Sequence, residues 1–264
     1  MLPGLEGKAA LVTGGSKGIG KAIAYALARD GCAVAICARG EDDLRAAAAE
    51  IGDATGARVI PIRADMTVPD DIINLVSETV NGLGRLDILI NNAVNSTSDR
   101  ASQIPDDVIL NHITTKVMGY IRCARECVPH MIAAGGGRII NIGGMAARNS
   151  SPTNPGSGVT NSAMSNYSKA LSDDIAADGI LVNCIHPGST RTERYMGLVA
   201  ERAARNNTSS EAELAESVAE IPVGRMIEPD DIANLAAFLC SDLASAITGQ
   251  TIAVDGGAGR GVHF

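Results

Sequence analysis

The stretch NSAMSNYSKAL, residues 161–171, sets three chemically capable side chains within five positions: Ser165, Tyr167 and Lys169. An ammonium group beside a hydroxyl lowers that hydroxyl's pKa and makes it a better proton donor, which is the work of a general acid. On a helix, residues four apart share a face and residues two apart point to nearly opposite sides. Ser165 therefore accompanies Lys169, and Tyr167 points away unless a local bulge turns it inward. The difference matters because a phenol titrates near ~10 and an aliphatic hydroxyl far higher.

A second chemistry lies near the N-terminus. TGGSKGIG (13–20) follows a short apolar run and opens a helical one. Glycines let a backbone approach a pyrophosphate, and a helix N-terminus offers free N–H groups and a positive dipole end. The strand–loop–helix context makes this a dinucleotide site. A site selecting NAD(H) carries an acid at the end of the second strand for the ribose hydroxyls. Here that strand ends Cys37-Ala38-Arg39, with no carboxylate before Glu41, and Lys17 lies in the phosphate loop. Two cations and no acid favour a 2′-phosphate, so NADP(H) is expected over NAD(H).

The elements that must position these groups alternate along the chain. Apolar runs at 8–15, 32–39, 57–65, 85–93, 136–144, 179–188 and 249–257 read as strands. Helical periodicity covers 17–31, 41–52, 68–84, 160–178 and 229–242, with a long helical stretch at 105–133 broken once. Residues 149–158 read as a Pro/Gly/Ser loop, and 193–220 as surface helix. Continuously apolar strands separated by helices imply a parallel sheet buried on both faces. The expected fold is α/β: a Rossmann-like, doubly wound parallel sheet of about seven strands, helices on both faces, in one domain over 1–264. Its ligand crevice should lie at the carboxyl ends of the strands.

Composition narrows the partners. The 264 residues are 45% hydrophobic and 20% charged, ordinary for a globular protein. A formal net charge of −8, no Trp and two Phe argue against nucleic-acid binding. No apolar run reaches the length of a membrane span, and no signal peptide is read at the start, so a cytoplasmic protein is expected. Cys32, Cys37, Cys123, Cys127, Cys184 and Cys240 form no CxxC pair and read as buried, reduced thiols, with no metal site.

With TGGSKGIG, LINNA (89–93), Lys169, HPGSTRT (186–192) and DGG (255–257) in this order, the chain resembles the short-chain dehydrogenase/reductase family over about 5–257. The resemblance implies that Gly14, Ser16, Lys17, Gly18, Ile19 and Gly20 hold the pyrophosphate. Asp65 and Met66 would flank the adenine, and Asn92 and Ala93 the adenosine ribose. Pro187, Gly188, Thr190 and Thr192 would contact the nicotinamide end, and Lys169 its ribose. A carbonyl/alcohol pair acted on by an oligomer, a homotetramer or homodimer, is also implied.

The family's reaction uses a tyrosine, a lysine four residues later, a serine after strand five and an asparagine on the long helix. Anchored on Lys169, the tyrosine place holds Ser165, the serine place Gly143-Gly144, and the asparagine place Lys116. The loop from Gly144 to Ser165 is longer than the resemblance implies. If Lys116 points inward, two ammonium groups share the pocket with His112 one turn before, and a lysine brought toward neutral pH can act as acid, base or nucleophile. Three readings stay open: an NADP(H)-dependent oxidoreductase with a non-standard proton relay, a lyase or isomerase using the lysine pair, and a catalytically silent dinucleotide binder. The segment 193–220 is the expected substrate lid.

Overall fold

The computed structural model describes residues 1–95, 97 and 99–261. Seven parallel strands form one sheet in the order β3-β2-β1-β4-β5-β6-β7. They are β1 (Ala9–Thr13), β2 (Ala33–Ala38), β3 (Val59–Arg63), β4 (Ile88–Asn91), β5 (Gly137–Ile142), β6 (Ile180–Pro187) and β7 (Thr251–Val254). The chain runs outward from β1 to β3, then returns to continue from β4. The crevice opens at this reversal, between β1 and β4.

Period-two alternation sends strand side chains to two cores. Val12, Ile36, Ile90 and Ile142 pack under α1 (Gly18–Arg29), α2 (Glu41–Thr55) and α9 (Pro229–Cys240). Leu11, Leu89 and Ile139 face α3 (Pro69–Leu83), α5 (Gly119–Ala133) and α6 (Pro155–Ile175). Local signals agree with these elements. Glu41, Asp42 and Asp43 favour the start of α2, and Pro69 with Asp70 and Asp71 the start of α3. Gly56 and Gly84 end them in the left-handed conformation.

Two boundaries differ from the sequence expectation, and both bear on the cleft. First, the long helical stretch is not broken. α4 (Asp106–His112) passes into a π-helical segment, Ile113–Met118, and then into α5. The looser winding shifts which side chains face inward without ending the helix. Second, α6 begins at Pro155, inside the expected loop. Asn154 caps it by accepting the Ser157 N–H, and Pro155 sits where its missing N–H costs nothing. The Asn-Pro pair is thus a helix start. Beyond β6, α7 (Glu193–Asn206) and α8 (Ser210–Ala219) occupy the expected lid segment.

All six cysteines are free and buried. Burial pushes the Cys32 and Cys37 thiols up to about 12 and that of Cys184 up to about 11.

At the opposite end of the sheet, Asp87 is buried below β4. It accepts from Arg85 at 2.7 and 2.6 Å, from the Ala9 N–H at 2.9 Å and from Lys8 at 3.2 Å. Burial pushes its carboxyl upward, but these bonds outweigh that and hold it below the usual range. Asp87→Ala should destabilise the chain by about 3 kcal/mol at neutral pH, read by urea unfolding. Stability from a lowered carboxyl is present above the unfolded pKa and lost as pH falls through the folded one. The gap between the two proteins should therefore narrow below about pH 4.

Candidate active site

The cleft has two ends. The first is a cavity of about 420 Å³ lined by Gly14, Ser16, Lys17, Arg39, Asp65, Met66 and Ala93, among others. Its base is backbone. The Thr13 hydroxyl accepts the Asn92 and Ala93 N–H groups at 2.9 and 3.1 Å, and Asn92 Nδ2 donates to the Thr13 and Gly14 carbonyls at 3.1 and 3.0 Å. These bonds clamp the glycine loop onto the end of β4. Gly20 is required by this closeness: a Cβ there would lie 2.2 Å from the Gly14 oxygen. Asp65 is already engaged, accepting from the Thr67 N–H and hydroxyl at 2.9 and 2.7 Å. Lys17 is ion-paired to Asp43 at 2.9 Å and Glu193 at 3.5 Å. Arg39 is the cation on the wall beside the end of β2. A glycine cradle at a helix N-terminus with a guanidinium at its rim fits a phosphorylated dinucleotide.

The second end is a cavity of about 780 Å³, reached past Ile19, Asn92 and Val94. Pro187, Gly188, Thr190 and Thr192 line it at the end of β6, and Tyr195 and Leu198 of α7 form part of its wall. Thr192 caps α7 by accepting the Tyr195 N–H. Gly18, from the glycine loop, lies close to Thr192: a Cβ there would be 3.2 Å from the threonine methyl.

On this wall stands Lys116, carried inward by the π-helical segment and only 4% exposed. Its ammonium donates to Asn161 Oδ1 at 2.6 Å and to the Gly143 carbonyl at 3.0 Å, and lies 5.8 Å from the Tyr120 ring centre. Burial lowers its pKa to about 7; Cys184 opposes the shift and Arg194 adds to it. Asn161 reaches it because residue 144 is glycine: a Cβ there would lie 2.6 Å from Asn161 Nδ2.

The other residues singled out in the sequence are not gathered at this point. Lys169 is exposed, paired with Asp173 at 2.5 Å, and absent from the cavity wall. The two lysines therefore do not form a pair. Ser165 faces a separate cavity of about 420 Å³ with Ser162, Asn166, His186 and Thr251. It donates to the Asn161 carbonyl at 3.2 Å and meets His186 Nε2 at 3.0 Å. His186 Nδ1 accepts the Gly144 N–H at 2.9 Å, so its proton sits on Nε2 and it cannot act as a base toward Ser165. Tyr167 packs on the core beside Val128 and Leu171, and burial raises its phenol to about 12. His112 is buried beneath Gly156, accepting from the Thr97 N–H at 3.3 Å. Burial, then Arg194, lowers its pKa and keeps it neutral.

The sequence reading missed Asn161 and took Ser157 only as one hydroxyl of the loop 149–162 that could fold over the site and supply a donor. The two residues are spaced by four on α6 and both line the large cavity. Lys169 lies eight residues farther on, about 12 Å along the helix. The overlong loop was the signal: the helix start at Pro155 removes the excess and puts Ser157, not Ser165, on the cavity wall with Gly144. Among the described residues no His/Cys/Asp/Glu group is placed to hold a metal, and no helix is long and apolar enough to cross a membrane.

Comparison with known proteins agrees with this architecture. The family pattern described as enoyl-(acyl carrier protein) reductase matches residues 14–259. The A-factor type gamma-butyrolactone 1'-reductase (1S-forming) of Streptomyces virginiae is 36% identical over 255 residues, 96% of each chain. The 3-oxoacyl-[acyl-carrier-protein] reductase of Staphylococcus epidermidis is 32% identical over 250 residues, 95% of this chain and 98% of that one. Among solved structures, L-sorbose reductase from Gluconobacter frateurii, complexed with NADPH and L-sorbose, superposes with a TM-score of 0.95. It is 33% identical, covering 99% of this chain and 100% of that one.

The lowered pKa of Lys116 makes stability depend on pH. Between about 7 and 10.5 the unfolded chain binds more protons at this position than the folded one. Relative to a Lys116→Met variant, the natural chain should therefore gain stability across that window, by up to about 1.4 kcal/mol per pH unit. Urea unfolding of both proteins at several pH values tests this. Parallel curves would show that the ammonium is not held in the buried site.

Proposed function

The chain belongs to the short-chain dehydrogenase/reductase family, and on that premise we propose that it reduces a carbonyl with NADPH, taking the proton from Lys116. The observation that carries this reading is the buried Lys116 ammonium on the wall of the large cavity, with its pKa near 7. In the family arrangement, an asparagine on the long helix and a lysine after the tyrosine take part. Here lysine stands on the long helix and Asn161 stands four residues after Ser157, as if those two had exchanged places. Ser157 stands in the tyrosine place and Gly144 in the serine place.

Gly14, Ser16, Gly18, Ile19 and Gly20 would hold the pyrophosphate, with Arg39 and Lys17 on the 2′-phosphate. Pro187, Gly188, Thr190 and Thr192 would hold the nicotinamide end. NADPH, when bound, supplies the hydride, and the protein must orient the carbonyl and deliver one proton. Lys116 has three N–H donors, and Asn161 and Gly143 take two. The third is left for the substrate oxygen. As the carbonyl becomes an alcohol, its oxygen takes a proton from the ammonium, which becomes an amine and regains a proton from water. A donor with a pKa near the working pH suits this transfer. The Ser157 hydroxyl, on the same wall, orients the substrate oxygen. α7 and α8 serve as the lid.

The lysine-pair reading loses its support, because Lys169 is directed away from the cleft.

NADPH oxidation over a carbonyl panel is the direct test. Lys116→Met should lower kcat by about a hundredfold or more while leaving the NADPH affinity unchanged. The rate of the natural protein should fall as pH rises through about 7. Asn161→Asp places a carboxylate against the ammonium, raises its pKa and should move that limb to higher pH. Lys169→Ala should leave the rate unchanged. A Lys116→Met protein as active as its parent would refute the relay. For the cofactor, calorimetric titration should show Arg39→Ala weakening NADPH much more than NADH; equal losses would overturn the NADP(H) preference.

A further inference from the structure

The wall of the large cavity carries three cations, Lys116, Arg194 and Arg260, against one carboxylate, Glu220, among the described residues. This is unusual in a chain of formal net charge −8. Lys17, Lys8, Arg85, Arg191 and Arg225 are each held by acidic side chains. Arg194 and Arg260 are not held by any carboxylate among the described residues. Arg194 belongs to the first turn of α7, on the helix that walls the cavity. Its charge acts on Lys116, which lines the same cavity, and on the buried His112 and Tyr120. Lys17, in the phosphate loop, answers instead to Asp43 and Glu193. Arg194 is thus an exposed guanidinium on the wall of the large cavity, without a carboxylate partner among the described residues.

We infer that the substrate is an oxo acid, its carbonyl oxygen at Lys116 and its carboxylate taken by Arg194. The inference rests on the reductase reading of the same cleft. A planar guanidinium binds a carboxylate through two parallel N–H bonds, which fixes direction as well as charge. With one end so fixed, the distance from carboxylate to carbonyl becomes the feature that selects the substrate. Arg260, on the same wall, adds to the attraction that draws anions into a cleft of an otherwise acidic protein. Arg194 is a specificity-determining residue in this scheme, and the proton still comes from Lys116.

Two measurements test this, one needing no turnover. Calorimetry of the protein, with and without saturating NADP⁺, compares pentanoate with pentanamide. Pentanoate should bind more tightly, and Arg194→Met should remove the difference, while Arg194→Lys keeps part of it. NADPH oxidation then compares 2-, 3- and 4-oxopentanoate with their methyl esters. The preferred acid should exceed its ester in kcat/KM by about tenfold or more, the worth of a charge-assisted hydrogen bond. Arg194→Met should abolish that ratio, with NADPH affinity intact and the pH limb of Lys116 still present. Arg260→Ala should reduce the ratio less. Carboxylate binding through Arg194 without reduction of any carbonyl would uphold the anion site and refute the reductase reading alone. Equal binding of acid and amide would overturn the inference, as would an Arg194→Met protein that loses NADPH and keeps its preference for acids.

Discussion

A buried ammonium must be solvated by the protein, and the reaction end of this cleft is arranged around the two oxygens that solvate Lys116. An unpartnered charge in such a site costs several kcal/mol and would be expelled or neutralised. Asn161 and the Gly143 carbonyl reduce that cost without adding a negative charge. The pKa therefore falls, because no carboxylate holds the proton in place. Other features follow from this one bond pair. The π-helical segment turns the lysine inward, Gly144 clears room for the amide, and the Asn154-Pro155 start of α6 sets the height at which Asn161 meets the ammonium.

The two ends of the cleft are made of different material. The phosphate end is mostly main chain, a glycine loop tied to β4 through Thr13 and Asn92. Main chain tolerates many side-chain changes around it. The reaction end is mostly side chain, so a few exchanges can change which atom carries the proton while the cofactor cradle stays as it is. This division explains how a chain so similar to an NADPH-bound reductase can have Lys116, Gly144, Ser157 and Asn161 on the wall of its large cavity.

The same division governs what the sequence reveals. The sheet, its seven strands and the glycine loop are legible because apolar runs and glycines mark them directly. Helix starts are less so. Asn154-Pro155 reads as loop until one asks where the Ser157 N–H finds its acceptor. That single boundary separates the residues that line the cavity, Ser157 and Asn161, from the pair read in the sequence, Ser165 and Lys169, eight residues on. Residue type pointed to Lys169, which is exposed and paired with Asp173, whereas the surplus length before it pointed to the earlier helix start at Pro155. Lys116 was found from its position on the long helix. Its bond to Asn161 joins residues forty-five apart and lies beyond any local pattern.

The six buried cysteines have a use unrelated to the cleft. A thiol reacts through its thiolate, and burial suppresses that form at Cys32, Cys37 and Cys184. Cys32 and Cys240 lie in the core on one face of the sheet, while Cys37, Cys123 and Cys127 lie in the core on the other. An alkylating reagent added to the native protein thus marks a cysteine when the layer around it opens. The sequence of marking would show which face of the sheet loosens first, with no probe introduced and no residue changed.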